Sequence, residues 1–399
     1  MAVPEHPSVN RMRILLAFDK FKDAIGAEEA CQVAGQALRR QKANLKIDPC
    51  PLTDGGEGFA RLLTRAAGGD LFFNQVEGAC GRPVKGEFGL VPFHRLLPGA
   101  RKRLDLPDQR KGILGLVDMA SASGLARIPE KERNPWKTTS RGTGELCFAA
   151  AQRGADLLLL GIGGSGTSDL GLGCLQALGL CAWDGEGRKI SNLCPEQWKN
   201  VVVLEGTLPP GFPPIRVACD VANPLWGPRG MVRVYGPQKG LPAEDLAPFE
   251  KEAELMAGKL LEKTGKSKKL METPGAGAAG GIGFGLMVWA GAEMVPGADL
   301  VLEWLDLPAR IQAADVVLTG EGRFDRSSLE GKGPAAVIRL ALAAGKRVHA
   351  FVGSVEKGLV LPSGLFLHEI TPEGMPLAEA LGRTGELLER AILAADWQA

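Results

Sequence analysis

The chemistry-bearing residues of this chain recur in one arrangement: an apolar run, then an acid beside glycine and lysine. Arg13–Phe18 leads into Asp19-Lys20-Phe21-Lys22-Asp23, and Leu45–Leu52 into Thr53-Asp54-Gly55-Gly56-Glu57-Gly58. Val316–Thr319 leads into Gly320-Glu321-Gly322-Arg323-Phe324-Asp325, continuing to Gly331-Lys332-Gly333-Pro334. One acid after one strand is ordinarily a cap or turn residue. Several carry more weight, because in an open parallel sheet the loops beyond the carboxyl ends of the strands are where ligands bind. Carboxylates there can ligate magnesium or orient a hydroxyl, and lysines can neutralise an anion, a combination suited to phosphoryl transfer. The four histidines, at 6, 94, 349 and 368, sit in no promising motif, so acid–base work falls to carboxylates or lysine.

A glycine-rich segment offers a competing reading. Gly161-x-Gly163-x-x-Gly166 follows an apolar run at 156–160, and Asp184 lies eighteen residues past Gly166. That approaches the dinucleotide fingerprint, whose later acid holds a ribose hydroxyl, and so admits an NAD(P)-dependent oxidoreductase. Gly171 and Gly173 weaken the helix the fingerprint needs. The same backbone amides suit any polyphosphate, ATP included. Gly331-Lys332 is no Walker loop: Arg326 stands where its first glycine belongs, and Gly333 replaces Ser or Thr. A nucleotide-sensing regulator with no catalytic role is the third alternative.

The elements that must position these residues read as alternating strands and helices. Helices are expected at 27–40, 59–67, 141–153 and 377–395, and Pro334 opens another at a position where a first turn tolerates proline. Further strands are expected at 71–77, 156–160, 215–218, 347–352 and 365–370. A length of 399 residues favours two domains, and 45% hydrophobic with 23% charged residues describes a soluble globular chain. The formal net charge of +1 argues against nucleic-acid and membrane-surface partners. The basic stretch 92–112 lacks interleaved aromatics and reads as a solvated surface insertion. Ala276–Ala292 is uncharged but too short and glycine-rich for a membrane span. Eight scattered cysteines form no Cys-x-x-Cys pair, which points to a reducing cytoplasm without disulfides or a zinc site.

Taken in order, the motifs resemble those of the glycerate kinases of the bacterial type I family. The resemblance is carried by Phe18–Lys22, Leu52–Gly58, Arg133-Asn134-Pro135, Ser140–Glu145, Gly163–Asp169 and Ala218-Cys219-Asp220 with Asn223-Pro224-Leu225. Gly236–Gly240, Gly275–Gly281 and Thr319–Asp325 with Gly331-Lys332 complete it over nearly the whole chain. It implies transfer of the ATP γ-phosphoryl group to D-glycerate, most often at the 2-hydroxyl. It also implies a Rossmann-like parallel-sheet domain built from both chain ends, with a second α/β domain inserted. Their expected extents are 11–75 plus 290–399 and 76–289, after a flexible tail 1–10. A homodimer is compatible with this plan.

Roles follow as expectations. Lys22 and Arg323 are candidates for the glycerate carboxylate, with Asp19, Lys20, Gly55 and Gly56 beside them. Asp54 or Asp325 would orient the hydroxyl, with Glu321 in the same catalytic set. Gly163, Gly164, Ser165, Gly166, Thr167 and Lys332 would hold ATP phosphates, and Asp220 or Asp169 would carry Mg²⁺. Three positions depart from the family's usual residues: Asp23 and Leu170 stand where glycine is common, and Ser168 where asparagine is.

Overall fold

The computed structural model describes residues 11–41, 44–326, 328 and 333–396. The expected tail 1–10 and Lys332 lie outside the described residues. The chain forms two compact units, one from the segment ending at Thr53 together with the segment beginning at Leu305, the other from Asp54–Trp304.

The first unit is built on five parallel strands in the order β13-β12-β11-β1-β2. Here β1 is Arg13–Phe18 and β2 is Lys46–Pro49. After an excursion that holds β3 to β10, β11 is Val316–Phe324, β12 Arg347–Val355 and β13 Leu365–Glu369. Ile14 to Phe18 are all buried, as expected of a strand covered on both faces. The helix Ala27–Gln41 carries Glu28 and Glu29 in its first turn and Arg39 and Arg40 in its last, matching its dipole. Its Ala30, Ala34, Ala37 and Leu38 pack with Leu387, Leu388 and Ile392 of the terminal helix over this sheet. That terminal helix, expected unbroken from 377, is two pieces, Leu377–Gly382 and Thr384–Ala394, interrupted at Arg383.

One expectation is overturned here. The stretch after Thr319 is no glycine turn: it continues β11 as far as Phe324. β1 ends opposite Gly320, and the next four residues run on along β12, with Glu321 opposite Val352 and Arg323 opposite Ser354. The glycines serve close packing. A Cβ at Gly320 would lie 2.1 Å from the carbonyl oxygen of Phe351, and one at Gly353 would lie 2.4 Å from that of Gly322.

The second unit carries a six-stranded sheet in the order β10-β9-β6-β5-β4-β3. In chain order these are β3 (Asp70–Glu77), β4 (Pro83–Pro92), β5 (Ile113–Asp118), β6 (Leu157–Gly161), β9 (Ile215–Ala218) and β10 (Glu293–Val295). Strands β3, β4 and β5 pair antiparallel, while β5, β6, β9 and β10 are parallel. Two short strands, β7 (Cys181–Trp183) and β8 (Val203–Glu205), form a separate antiparallel pair. The units divide at Thr53 and Leu305 rather than at 75 and 290. The reason is pairing: β3 bonds to β4, and the indole of Trp304 donates to the Leu63 carbonyl, which ties 54–77 and 290–304 to the second sheet.

The basic stretch 92–112 connects β4 to β5 and is only partly solvated. Arg101 is buried, and its guanidinium donates to the carbonyls of Phe93, Pro107 and Arg110, shaping the loop from within. The uncharged stretch 276–292 forms a 3-10 segment, Ala278–Gly281, and then the helix Ile282–Ala290, inside the core of this unit. Among the described residues no helix is long and apolar enough to cross a membrane.

Candidate functional site

Polar residues gather at the carboxyl ends of the parallel strands in each unit. In the second unit β5, β6 and β9 end at Asp118, Gly161 and Ala218, with Asp220 two residues further. The Asp54–Gly58 segment belongs to this neighbourhood and abuts the loop after β6. Gly163 donates its amide to the Gly55 carbonyl at 3.0 Å, and a Cβ at Gly163 would lie 2.8 Å from the Gly56 nitrogen. A Cβ at Gly161 would meet the Gly55 oxygen and the Phe59 ring, each at 2.6 Å. Gly161 and Gly163 are thus explained by two loops in contact, and Gly166 by its approach to Ile128, where a Cβ would lie 2.6 Å away. Asp54 is exposed and accepts the Gly56 amide at 3.0 Å.

The loop from Gly161 to Gly171 is bonded on nearly every side. Gly166 donates to the Ser123 carbonyl, and the Gly164 carbonyl accepts from Leu125. Gly164 forms the exposed tip. Asp169 is fully buried and accepts from five donors: the amides of Ser140, Gly171 and Gly173 and the hydroxyls of Ser140 and Thr167. Burial raises its pKa, against the pull of those bonds. Its oxygens are occupied, so the expected role as a metal ligand gives way to that of a clamp on the loop. The next residue, Leu170, takes the left-handed conformation at φ 54°, which accounts for the glycine common there in the family. Asp23 repeats the effect at φ 60°.

Two further residues of this neighbourhood escaped the sequence reading. Asp118 is buried; its carboxylate accepts the amides of Ala60 and Ser121, and burial pushes its pKa up to about 7. Its signal was the apolar run Ile113–Asp118, another strand ending in an acid. Lys239, in the turn Gly236-Pro237-Gln238-Lys239-Gly240, is 1% exposed. Its Nζ donates to Ser165 Oγ at 2.9 Å and to the Thr167 carbonyl at 2.5 Å, and burial pulls its pKa down to about 7. Asp220, the remaining expected metal ligand, accepts the amide of Ala298 at the start of the helix Gly297–Trp304. Among the described residues no three His, Cys, Asp or Glu side chains gather to hold a metal. Magnesium that arrives on nucleotide phosphates needs only one or two protein carboxylates, which Asp220 and exposed Asp54 can supply.

In the first unit Asp19, Lys20 and Lys22 follow β1, next to the extended end of β11. Asp19 donates its amide to the Gly320 carbonyl, and one of its carboxylate oxygens accepts the Lys20 amide at 2.7 Å. A Cβ at Gly333 would lie 3.3 Å from the other oxygen, and one at Gly322 3.3 Å from the Lys22 amide. Glu321 is half-buried here, and its burial pushes its pKa up to about 7, with Asp19 and Asp325 adding to the rise and a Ser328 hydrogen bond opposing it. Its Oε1 is enclosed and accepts no hydrogen bond. Asp325 lies 3.8 Å from the Nε of Arg323, whose side chain is 72% exposed. Lys22 is exposed as well.

The dinucleotide reading fails on this geometry. The helix after the glycine loop starts only at Leu172 and spans six residues. Asp184 follows β7 of the separate two-stranded pair, and its carboxylate is taken by the amides of Glu186 and Arg188 and by the Arg188 guanidinium. A ribose has nothing left to bind there.

Parallel sheets whose polar, glycine-rich loops follow the strand ends define an α/β protein of the small-ligand-binding class. Comparison narrows this. The model of the glycerate kinase family matches residues 14–395. A glycerate kinase of Bacillus subtilis (strain 168) is 35% identical over 386 residues, 95% of each chain. A glycerate 2-kinase of Escherichia coli (strain K12) is 35% identical over 360 residues, 89% of each chain. The crystal structure of a candidate glycerate kinase 2 from Salmonella typhimurium LT2 superimposes with a TM-score of 0.73 at 32% identity, over 96% of this chain and 97% of that one. The chain belongs to the glycerate kinase family, and is an enzyme.

Proposed function

We propose that the enzyme transfers the γ-phosphoryl group of ATP to D-glycerate and forms 2-phosphoglycerate. End-to-end similarity to proteins named glycerate kinase, one of them a glycerate 2-kinase, carries this reading. Phosphoryl transfer is mostly positioning and charge neutralisation, so each expected residue is assigned by what its surroundings leave it able to do. In the second unit the amides of Gly163 and Gly166 are engaged within the protein and Thr167 is fully buried, which leaves Gly164 and Ser165 as the phosphate donors of the loop. Asp220 is the carboxylate for magnesium, which supplies charge neutralisation at the phosphates when bound. Asp54 stands exposed beside that loop.

In the first unit Lys22 and Arg323 are exposed cations for the glycerate carboxylate, Arg323 with a fork that can grip it at two points. Glu321 is the group best suited to accept the hydroxyl proton, because a carboxyl with a pKa of about 7 ionises near the working pH of a base. Burial holds that pKa up, and Asp19 and Asp325 add to it. All eight cysteines are free, which fits a reducing cytoplasmic setting. The test is ADP release in a coupled assay with magnesium, ATP and D-glycerate, with the phosphorylated carbon read by NMR. ADP release that ignores glycerate overturns the assignment, and phosphate on the 3-carbon overturns the regiochemistry.

A further inference from the structure

We propose that Lys239 is a positioning residue that holds the Gly163–Thr167 loop from its buried side and supplies the positive charge behind a bound anion. The inference rests on the reading of that loop as a phosphate-binding segment. Lys239 reaches no solvent, so it acts on the ligand only through the loop. Its two hydrogen bonds, to Ser165 Oγ and to the Thr167 carbonyl, bracket the loop's last turn. They fix the course of the loop and so where the amides of Ser165 and the exposed Gly164 point.

The turn carrying Lys239 is built to aim it. Pro237 opens the short 3-10 segment Pro237–Lys239, and Gly240 closes it at φ 90°. A Cβ at Gly240 would lie 2.3 Å from the Arg133 carbonyl oxygen, so this course of the backbone requires glycine there. The electrostatics are unbalanced. No carboxylate forms an ion pair with Lys239 among the described residues; the acid acting on it is Asp169, whose oxygens are already held by Ser140, Thr167, Gly171 and Gly173. A buried ammonium without a pairing anion is unfavourable. A phosphate on the outer side of the loop would provide the counter-charge, so anion binding and protonation of Lys239 reinforce each other.

Steady-state kinetics on Lys239→Met, Lys239→Arg, Ser165→Ala and the Lys239→Met/Ser165→Ala double variant test this. Ser165→Ala removes the hydroxyl and keeps the amide. The expected result for Lys239→Met is a KM for ATP raised about 10- to 100-fold, the range for a lost charged hydrogen bond, with the KM for glycerate changed less than about twofold. Lys239→Arg should recover part of the loss. The double variant should fall short of the product of the single effects, because both substitutions break one contact. An unchanged KM for ATP in folded Lys239→Met overturns the inference, as does a loss shared equally by both substrates. Should Lys239→Met not fold, Ser165→Ala decides alone: a raised KM for ATP supports the inference and an unchanged one overturns it. Wild-type enzyme without glycerate-dependent ADP release overturns instead the reading on which the inference rests.

Discussion

Glu321, in the extended end of β11, and Asp169, in the loop after β6, are two acids in glycine-rich segments, one in each unit, and their surroundings are opposite. Asp169 is saturated by five donors and locks its loop. Glu321 keeps an enclosed oxygen without a hydrogen bond, among two other acids, at a pKa of about 7. An acid at a strand end does chemistry only if the fold leaves its oxygens unoccupied. That difference is the ground for giving Asp169 a structural part and for proposing a chemical one for Glu321.

The contrast can be broken in four ways, taken from the largest effect down. Glu321→Gln should lower kcat about 10²- to 10⁴-fold, the usual contribution of a general base, while thermal unfolding shows an intact protein. A kcat within a few-fold of wild type would remove Glu321 from the chemistry. Asp169→Asn should do the reverse. An amide offers one acceptor oxygen and presents donors to donors, so a loss of about 3–5 kcal/mol is expected, seen as a lower unfolding midpoint or loss of soluble protein. Wild-type stability with reduced activity would place Asp169 with the ligand instead.

The third is the pH dependence. If Glu321 must be ionised to act, kcat rises with pH through about 7, and Glu321→Gln loses that limb. Stability moves oppositely. The pKa of Glu321 is raised in the fold, so its protonated form favours the native state; this contribution is full below the ordinary 4.5 and is lost as pH rises through about 7. Denaturant midpoints of wild type and Glu321→Gln should therefore diverge across that window, with wild type the weaker at pH 8; parallel midpoints would contradict the burial argument. The smallest effect concerns Asp23, whose φ of 60° strains a side-chain-bearing residue. Asp23→Gly should change stability by less than about 1 kcal/mol and leave kcat within twofold, so a large kinetic effect would give the Asp23 carboxylate a role in the site.

Much of the scaffold was legible in the residues. Arg13–Phe18 and Ile215–Ala218 match their strands end to end; in the first, Ile14 to Phe18 form the unbroken apolar run that a strand buried on both faces needs. The continuation of β11 was hidden, since Gly320 and Gly322 carry the usual signature of a turn. Only contact with Phe351, Phe18 and Lys22 shows that they are there to let backbones approach. Lys239 was passed over because lysine is almost never fully buried, and nothing local announces that a turn will drive one into a core.

The sequence by itself determined the alternation of strand and helix, the recurrence of acids and glycines at strand ends, and membership of the glycerate kinase family. These are local properties: burial periodicity, turn chemistry and the order of short motifs along the chain. Tertiary structure alone decided that Asp54–Gly58 packs against Gly161–Gly163, that Asp169 is a clamp, that Lys239 lies beneath the loop, and that one oxygen of Glu321 is left without a hydrogen bond. Each depends on residues tens to hundreds of positions apart, and the pKa and hydrogen-bonding capacity of an acid are set by those distant neighbours.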